Sequence, residues 1–146
     1  MAGQLVAGVG AAGGNWTLAD LAAYRPVERE PLRGSYRDTR IVTAPLPSAG
    51  GVGIVNMLNI LSGFDLPALD PVTRKHLVIE SMRRAYRDRA QYLGDPAFTR
   101  PPLEQLLSPL YAAGERTSIR LDRATPGDAL PPIAGMGHEG GQTTHF

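Results

Sequence analysis

The strongest constraint on the fold is a long helix signal in the middle of the chain. It begins at Asp70-Pro71, because an Asp followed by a Pro is typical of an N-cap and a first helical residue. It ends at Gly94-Asp95-Pro96, since Gly and Pro together stop a helix. The residues that follow the helical period are Val78, Met82, Ala85, Arg89 and Leu93. The sequence therefore predicts one amphipathic helix from Asp70 to about Leu93.

Charged residues in this helix are expected on its remaining faces. They are Arg83, Arg84, Arg87 and Asp88. Two interpretations stay open for them: a solvated helix face, or salt bridges between elements.

Shorter helices are predicted on both sides of the long one. Thr17 stands three residues before Asp20, which is an acidic variant of the capping box and opens a short helix that stops at Pro26. A run from Val52 to Leu61 is apolar on nearly every face, so we expect a buried helix with Ser48 as its N-cap. The other predicted helical segments are one that ends near Gly13-Gly14, Leu103 to Leu107, and Pro109 to Arg116.

Extended backbone is predicted between Pro26 and Pro47. Two strands there are joined by a turn near Arg37-Asp38, and Ile41-Val42-Thr43 is typical of a strand. Seventeen Gly and 13 Pro residues favour many turns. Helices together with a strand pair place the chain in the α+β class.

Composition excludes several functions for this chain of 146 residues. Fifteen Lys and Arg against 14 Asp and Glu give a net charge of +1 without a basic block, so nucleic acid is not an expected partner. Zero cysteines exclude a disulfide scaffold, a thiolate metal site and a cysteine nucleophile. The apolar residues 1 to 12 are too short to cross a bilayer and lack the basic flank of a signal peptide. We expect no membrane segment here.

Two motifs point only weakly to ligands. The glycines of Pro47 to Gly53 fit a phosphate cradle at a helix N-terminus, but the spacing and the missing lysine favour a tight turn with close backbone packing. His138, Glu139 and His145 lie on a glycine-rich tail without a second pair of ligands. We therefore predict neither a metal nor a cofactor.

The last residues carry the chemistry of greatest interest. Thr125 to Gly141 lacks periodicity and is rich in Gly and Pro, so a mobile loop is expected to lead into Gln142-Thr143-Thr144. A Thr hydroxyl becomes an effective nucleophile when a free amine on the same residue acts as its base, which requires cleavage before that Thr. Thr-Thr pairs are also common in strands. From these residues alone both interpretations stay open.

With these motifs in place, the sequence resembles the gamma-glutamyltranspeptidase (glutathione hydrolase) family of the N-terminal nucleophile hydrolase superfamily. The ordered set of motifs is specific, although no single one is. The segments that carry the resemblance are Gly13-Gly14, Thr17 to Leu21, Tyr24, Val27 to Gly34, Pro47 to Gly51, Leu58 to Leu61, Arg84 to Arg89, Tyr92 to Pro96, Leu107 to Pro109 and Thr143 to Phe146.

This resemblance implies a fold, an activity and a site. The family is made as a precursor that cuts itself into a large and a small subunit, so Gln142-Thr143 is the implied scissile bond and Thr143 the nucleophile. The implied reaction transfers the gamma-glutamyl group of glutathione to water, or to an acceptor amino acid or peptide. The implied fold is a mostly helical fragment of a four-layer αββα structure. The small subunit of the same precursor is the implied partner.

The resemblance also divides the chain. Residues 1–142 correspond to the end of the large subunit, with 125–142 as the loop before the cleavage point, and 143–146 begin the small subunit. The oxyanion and substrate-clamping groups are expected outside the chain, so we expect the isolated fragment to be inactive. The chain carries no localisation signal, and bacterial family members suggest the periplasm or secretion.

Two other interpretations of the function remain open. One is a catalytically dead, stand-alone helical module with an interaction or structural role. The other is a hydrolase that uses the same threonine on a different gamma-glutamyl or acyl amide.

Overall fold

The computed structural model describes residues 1–130, which form six α-helices, two β-strands and two short 3-10 turns. In chain order these are α1 (Ala2–Ala11), α2 (Leu18–Ala23), β1 (Leu32–Tyr36), β2 (Thr39–Thr43), α3 (Ala49–Leu61), the turn Leu66–Ala68, α4 (Pro71–Tyr92), α5 (Leu103–Leu106), α6 (Pro109–Thr117) and the turn Gly127–Ala129. This part of the chain is mostly helical with one small sheet, as the predicted α+β class requires.

The long helix α4 begins and ends as predicted. The Asp70 side chain caps it by accepting hydrogen bonds from the backbone N–H groups of Val72 and Thr73, at 2.9 and 3.1 Å. Pro71 occupies the first turn, where its missing N–H costs nothing. The helix ends at Tyr92, just before Gly94-Asp95-Pro96. Local end signals therefore fix the length of this helix.

The N-terminal helices also follow their local signals. Gly13 has a φ of +86° after α1, and the next residue, Gly14, donates to the Val9 carbonyl at 2.9 Å. This is a left-handed helix cap that glycine accommodates best. At the start of α2, Thr17 and Asp20 form the predicted capping box, with each side chain accepting from the other's backbone N–H.

The two strands form an antiparallel hairpin. Leu32 pairs with Thr43 and Tyr36 with Thr39, and the turn lies at Arg37, whose φ is +52°. The prediction of two strands joined near Arg37-Asp38 is confirmed. A Cβ at Gly34 would lie 2.8 Å from a Val55 methyl carbon, so the hairpin packs closely on α3.

The core is built around α3. One cluster joins α3 to α4, α6 and a residue two positions after α6: Ile60, Leu61, Leu77, Ala112 and Ile119. A second cluster joins the start of α3 to α5: Leu46, Val52 and Leu106. Because α3 contacts elements on several sides, its nearly continuous apolar sequence is explained.

The buried face of α4 is not the apolar face that the sequence predicts. Of the periodic apolar residues, Ala85 is buried, whereas Val78 and Met82 are 40% and 42% exposed in the described structure. The residues that α4 buries are Leu77, Glu80, Ser81, Arg84, Ala85 and Asp88. The helix therefore turns charged groups inward, where polar and charged partners on other elements meet them.

No helix among residues 1–130 combines the length and the apolar character that crossing a bilayer requires.

Candidate functional site

The predicted scissile pair, Gln142 and Thr143, lies outside the described residues, as do His138, Glu139 and His145. Most of the predicted loop, from 131 onward, lies outside them too. What the structure does show is a polar cluster on the inward face of α4. It reaches the first residue of the predicted loop, Thr125.

The centre of this cluster is an ion pair between Glu80 and Arg84. One turn apart on α4, their side chains are 1% and 0% exposed, and Arg84 Nη1 lies 2.6 Å from Glu80 Oε2. The same guanidinium donates to Ser118 Oγ through Nη2 at 2.7 Å. A buried charge pair is tolerated when its remaining donors and acceptors are also satisfied, as these largely are.

All of the polar atoms of Thr125 make hydrogen bonds to Glu80, Arg83 or Arg84. Its hydroxyl donates to Glu80 Oε2, and its backbone N–H donates to Glu80 Oε1 at 3.2 Å. Its hydroxyl oxygen also accepts from Arg84 Nη2 at 3.2 Å, and its carbonyl accepts from Arg83 Nη1 at 2.6 Å. One turn of α4 therefore fixes the residue at which the predicted loop begins.

The electrostatics of Glu80 follow from these contacts. Burial alone would raise the pKa of its carboxyl group, but hydrogen bonds from Thr125, Arg84 and Arg83 outweigh burial and lower the pKa to about 2. Glu80 is thus an anion at neutral pH. Hydrogen bonds to an ionised acceptor are stronger than neutral ones, which makes Thr125 a firm attachment point.

A second ion pair network lies one to two turns further along α4. Arg87 Nη2 contacts Asp88 Oδ1 at 2.8 Å and Glu115 Oε1 of α6 at 2.9 Å. Burial would lower the pKa of Arg87, but the hydrogen bonds to both carboxylates raise it. Burial and the nearby Asp88 raise the pKa of the Tyr111 hydroxyl. Of the two interpretations of the charged helix residues, salt bridges between elements are therefore confirmed for Arg84 and Arg87.

Helix α3 joins this network through Asn56, whose side-chain N–H donates to Asp88 Oδ2 at 2.9 Å. Its amide oxygen and Glu115 Oε2 are buried and have no hydrogen-bond partner in the described structure. Glu115 Oε2 still lies 3.7 Å from Arg84 Nε. Three helices thus meet at one polar centre that is held together mainly by charge.

The chemistry of this cluster is structural rather than catalytic. Its carboxylates are paired with guanidinium groups, and the lowered pKa of Glu80 makes that carboxylate a poor general base. Among residues 1–130, no group of three His, Asp or Glu side chains is arranged to hold a metal ion. What the cluster does is lock α3, α4, α6 and Thr125 together.

The Pro47 to Gly53 segment is not the tight turn that the sequence favours, because residues from Ala49 onward belong to α3 and the turn before it lies at Leu46 and Pro47. The predicted close backbone packing is confirmed at Gly51, where a Cβ would collide with the Ala44 carbonyl oxygen. It does not extend to Gly53, which has nothing within 4 Å in the described structure. Ser48 occupies the N-cap position of α3, as predicted, although its side chain makes no capping hydrogen bond.

Sequence reasoning missed the burial of Glu80, Arg84 and Asp88. One signal was present: these residues alternate in charge at four-residue spacing, which puts them on one face of α4. The partners Glu115 and Thr125 come from distant segments and have no local signature. The sequence therefore indicates that these three residues share one face of α4, but it does not indicate that this face is buried.

The sequence of this chain is similar to those of known proteins. The family profile described as Gamma-glutamyltranspeptidase matches residues 1–146. A "Glutathione hydrolase proenzyme" from Pseudomonas sp. (strain A14) is 42% identical over 148 residues, covering 100% of this chain and 26% of that protein. An "Acylase ACY 1 proenzyme" from Pseudomonas sp. (strain SE83) is 41% identical over 136 residues, covering 91% of this chain and 24% of that protein. The chain thus spans about a quarter of the length of these relatives.

A solved structure gives the same result. The crystal structure of Helicobacter pylori gamma-glutamyltranspeptidase superposes with a TM-score of 0.77 at 37% identity, covering 89% of this chain and 38% of that one. The fold is therefore that of a portion of an N-terminal nucleophile hydrolase. Within that class, the chain belongs to the gamma-glutamyltranspeptidase family, since the family profile matches it from end to end.

Proposed function

We propose that this chain is part of a gamma-glutamyltransferase and glutathione hydrolase precursor that cleaves itself between Gln142 and Thr143. The observation that carries the proposal is the family match, which runs through residue 146 and so includes both residues. The name of the Pseudomonas sp. (strain A14) relative, a glutathione hydrolase proenzyme, supports a precursor that matures by cleavage.

The proposed cleavage is an acyl shift within the chain. The Thr143 hydroxyl oxygen attacks the Gln142 carbonyl carbon, the peptide C–N bond breaks, and the Thr143 nitrogen leaves as an amine after taking up a proton. The product is an ester between Gln142 and the Thr143 oxygen. Water hydrolyses this ester, which yields a Gln142 carboxylate and a free Thr143 with both hydroxyl and amine.

The proposed turnover uses the same oxygen. The amine of Thr143 accepts the hydroxyl proton while the oxygen attacks the gamma-glutamyl carbonyl of glutathione. The amide C–N bond breaks, and cysteinylglycine leaves with a proton on its nitrogen. Water, or the amine of an acceptor amino acid or peptide, then attacks the gamma-glutamyl ester and restores the Thr143 hydroxyl. No cofactor enters either step.

In this proposal residues 1–142 close the large subunit and 143–146 open the small subunit. The four-layer αββα architecture belongs to the whole protein, of which the described helices and hairpin form one part. The small subunit of the same precursor is the proposed partner. We also infer a periplasmic or secreted location, which fractionation of the source cells tests: activity confined to the cytoplasmic fraction would contradict it.

A second candidate function is hydrolysis of a different acyl amide by the same threonine. It is favoured by the acylase proenzyme from Pseudomonas sp. (strain SE83), whose identity to this chain is close to that of the glutathione hydrolase. The two candidates separate on substrate. The whole enzyme should release p-nitroaniline from gamma-glutamyl-p-nitroanilide faster than it deacylates glutaryl or adipyl amides, and the reverse order would support the second candidate.

The cleavage proposal is tested on the full-length precursor by intact-mass spectrometry. The wild-type protein should yield a chain that begins at Thr143, and Thr143→Ala should stay uncut and inactive. Thr144→Ala is the matched control, because it removes the neighbouring hydroxyl only and should still be cut. Two chains from the Thr143→Ala protein would exclude this hydroxyl as the nucleophile.

The isolated 146 residues provide a further test. They should release no p-nitroaniline from gamma-glutamyl-p-nitroanilide, because the oxyanion and clamping groups are supplied by the rest of the precursor. Turnover by the fragment would contradict the expectation that its activity needs the rest of the precursor. A protein that ends naturally at Phe146 and accumulates in cells would instead favour the stand-alone helical module.

A further inference from the structure

Thr125 differs from the residues around it. Among residues 120–129, Thr125 is half-buried against α4 and all the others are exposed. In the described structure the exposed side chains of Arg120, Asp122 and Arg123 make ion pairs only with one another, at 3.4 and 3.9 Å. The Arg120 carbonyl oxygen lies 2.7 Å from His76 Nε2 of α4, so the chain leaves the protein surface after Arg120 and contacts it again at Thr125.

The attachment at Thr125 is stronger than a turn requires. Four hydrogen bonds join its hydroxyl, N–H and carbonyl to Glu80, Arg83 and Arg84. Glu80 and Arg84 are fully buried and bound to each other, so the partners of Thr125 cannot follow it if it moves. Only 18 residues separate this fixed point from Thr143.

We propose that Thr125 is a positioning residue for self-cleavage, which sets where the segment carrying the Gln142-Thr143 bond starts. This inference rests on the proposed function, since it assumes that the bond is cut. In this proposal Thr125 acts through the buried Glu80-Arg84 pair, which gives the segment a defined origin.

Magnitudes separate positioning from simple tethering. Without the Thr125 attachment, the preceding attachment in the described structure is the Arg120 carbonyl on His76, so the tether to Thr143 grows from about 18 to about 23 residues. Chain-closure entropy for that change slows a reaction by a factor of only about 1.5. Misplacing reacting groups by about 1 Å costs up to about a hundredfold. A positioning role therefore predicts a loss of about tenfold or more.

The test uses Thr125→Val in the full-length precursor, which keeps the shape of the side chain and removes the hydroxyl. Thr125→Ser restores the hydroxyl. Thr117→Val is the matched control, because the Thr117 hydroxyl is exposed and bonds only within its own helix, to the Gly114 carbonyl at 2.7 Å. Cleavage of purified precursor is followed over time by gel and intact mass. Melting temperatures are compared in the uncleavable Thr143→Ala background.

We expect Thr125→Val to slow cleavage about tenfold or more, and Thr125→Ser and Thr117→Val to stay within about threefold of wild type. Once cut, Thr125→Val should keep its kcat and KM for gamma-glutamyl-p-nitroanilide within about twofold. A merely structural role would lower kcat along with the cleavage rate. Arg83→Met, which removes the donor to the Thr125 carbonyl from a 30% exposed side chain, should slow cleavage in the same direction.

Three results would overturn the inference. Cleavage of Thr125→Val within about twofold of wild type would show tethering alone. An equal loss of cleavage rate and kcat would show a general structural role. If Thr125→Val does not fold, cleavage of Arg83→Met at the wild-type rate would overturn the inference instead. Continued cleavage by Thr143→Ala would refute the proposed function itself, which keeps the two failures distinguishable.

Discussion

Arg84 and Glu80 face each other across one turn of α4 with their charged groups 2.6 Å apart and almost no solvent contact. Water screens this pair little, and each charge has one further ion-pair partner: Arg83 lies 2.7 Å from Glu80, and Glu115 lies 3.7 Å from Arg84. The arrangement differs from that of Arg120 and Asp122, which lie 3.4 Å apart with side chains more than half exposed. Comparing the two pairs shows how burial changes the contribution of an ion pair to stability.

Arg84→Met should therefore destabilise the full-length protein far more than Arg120→Met. Removing one partner of a buried pair leaves an uncompensated charge and costs about 3–5 kcal/mol, whereas an exposed pair contributes about 0–1 kcal/mol. Denaturant unfolding followed by circular dichroism measures the difference, in the Thr143→Ala background that we propose stays uncut. Equal unfolding midpoints for the two variants would contradict the burial of this pair.

The pH dependence of stability should carry the signature of Glu80. Its pKa is about 2 in the folded protein and about 4.5 when unfolded. Between these values the unfolded chain takes up a proton first, so the Glu80 contribution is complete above pH 4.5 and is lost as the pH falls toward 2. The melting temperature of wild type should thus approach that of Glu80→Gln as the pH falls from 5 to 2.5. A constant gap between the two curves would contradict the lowered pKa.

Gly51 and Gly53 lie two residues apart in α3 and should respond oppositely to alanine. A Cβ at Gly51 would meet the Ala44 carbonyl oxygen and lie 2.9 Å from Thr43 Cγ2, so Gly51→Ala must displace backbone. At Gly53 nothing in the described structure lies within 4 Å. Because alanine favours helix over glycine by about 1 kcal/mol, Gly53→Ala should be neutral or stabilising. Thermal unfolding of both variants checks this, and a larger loss for Gly53→Ala would show that the packing is different.

The elements that sequence predicts well are those with signals inside the element itself. Asp70 and Pro71 set the start of α4, Thr17 caps α2, and the turn at Arg37 joins the strands. Each signal involves residues a few positions apart, so no knowledge of the tertiary fold is needed. Ser108 caps α6 by accepting from the Tyr111 N–H at 3.0 Å. Ser48 in the equivalent position of α3 makes no such bond, which sequence alone does not distinguish.

The buried face of α4 is where sequence reasoning was wrong. Periodicity points to Val78 and Met82, whereas the described structure buries Glu80 and Arg84. Burial of these charges depends on Thr125, 45 residues from Glu80 along the chain, and no local pattern reports such a partner. The proposed scissile pair, Gln142 and Thr143, was predicted through family resemblance, because a Thr-Thr pair has no distinctive chemistry until its bond to the preceding residue is cut.

Glu80 and Arg84 bind Thr125 as well as each other, which limits how this protein can change over generations. A single substitution at Arg84 leaves Glu80 with Arg83 as its ion-pair partner, and one at Glu80 leaves Arg84 with Glu115 at 3.7 Å. Replacing both together with apolar residues of similar volume is often neutral for stability, but it would remove both of these partners from Thr125. Substitutions at these three positions are therefore coupled through their shared hydrogen bonds.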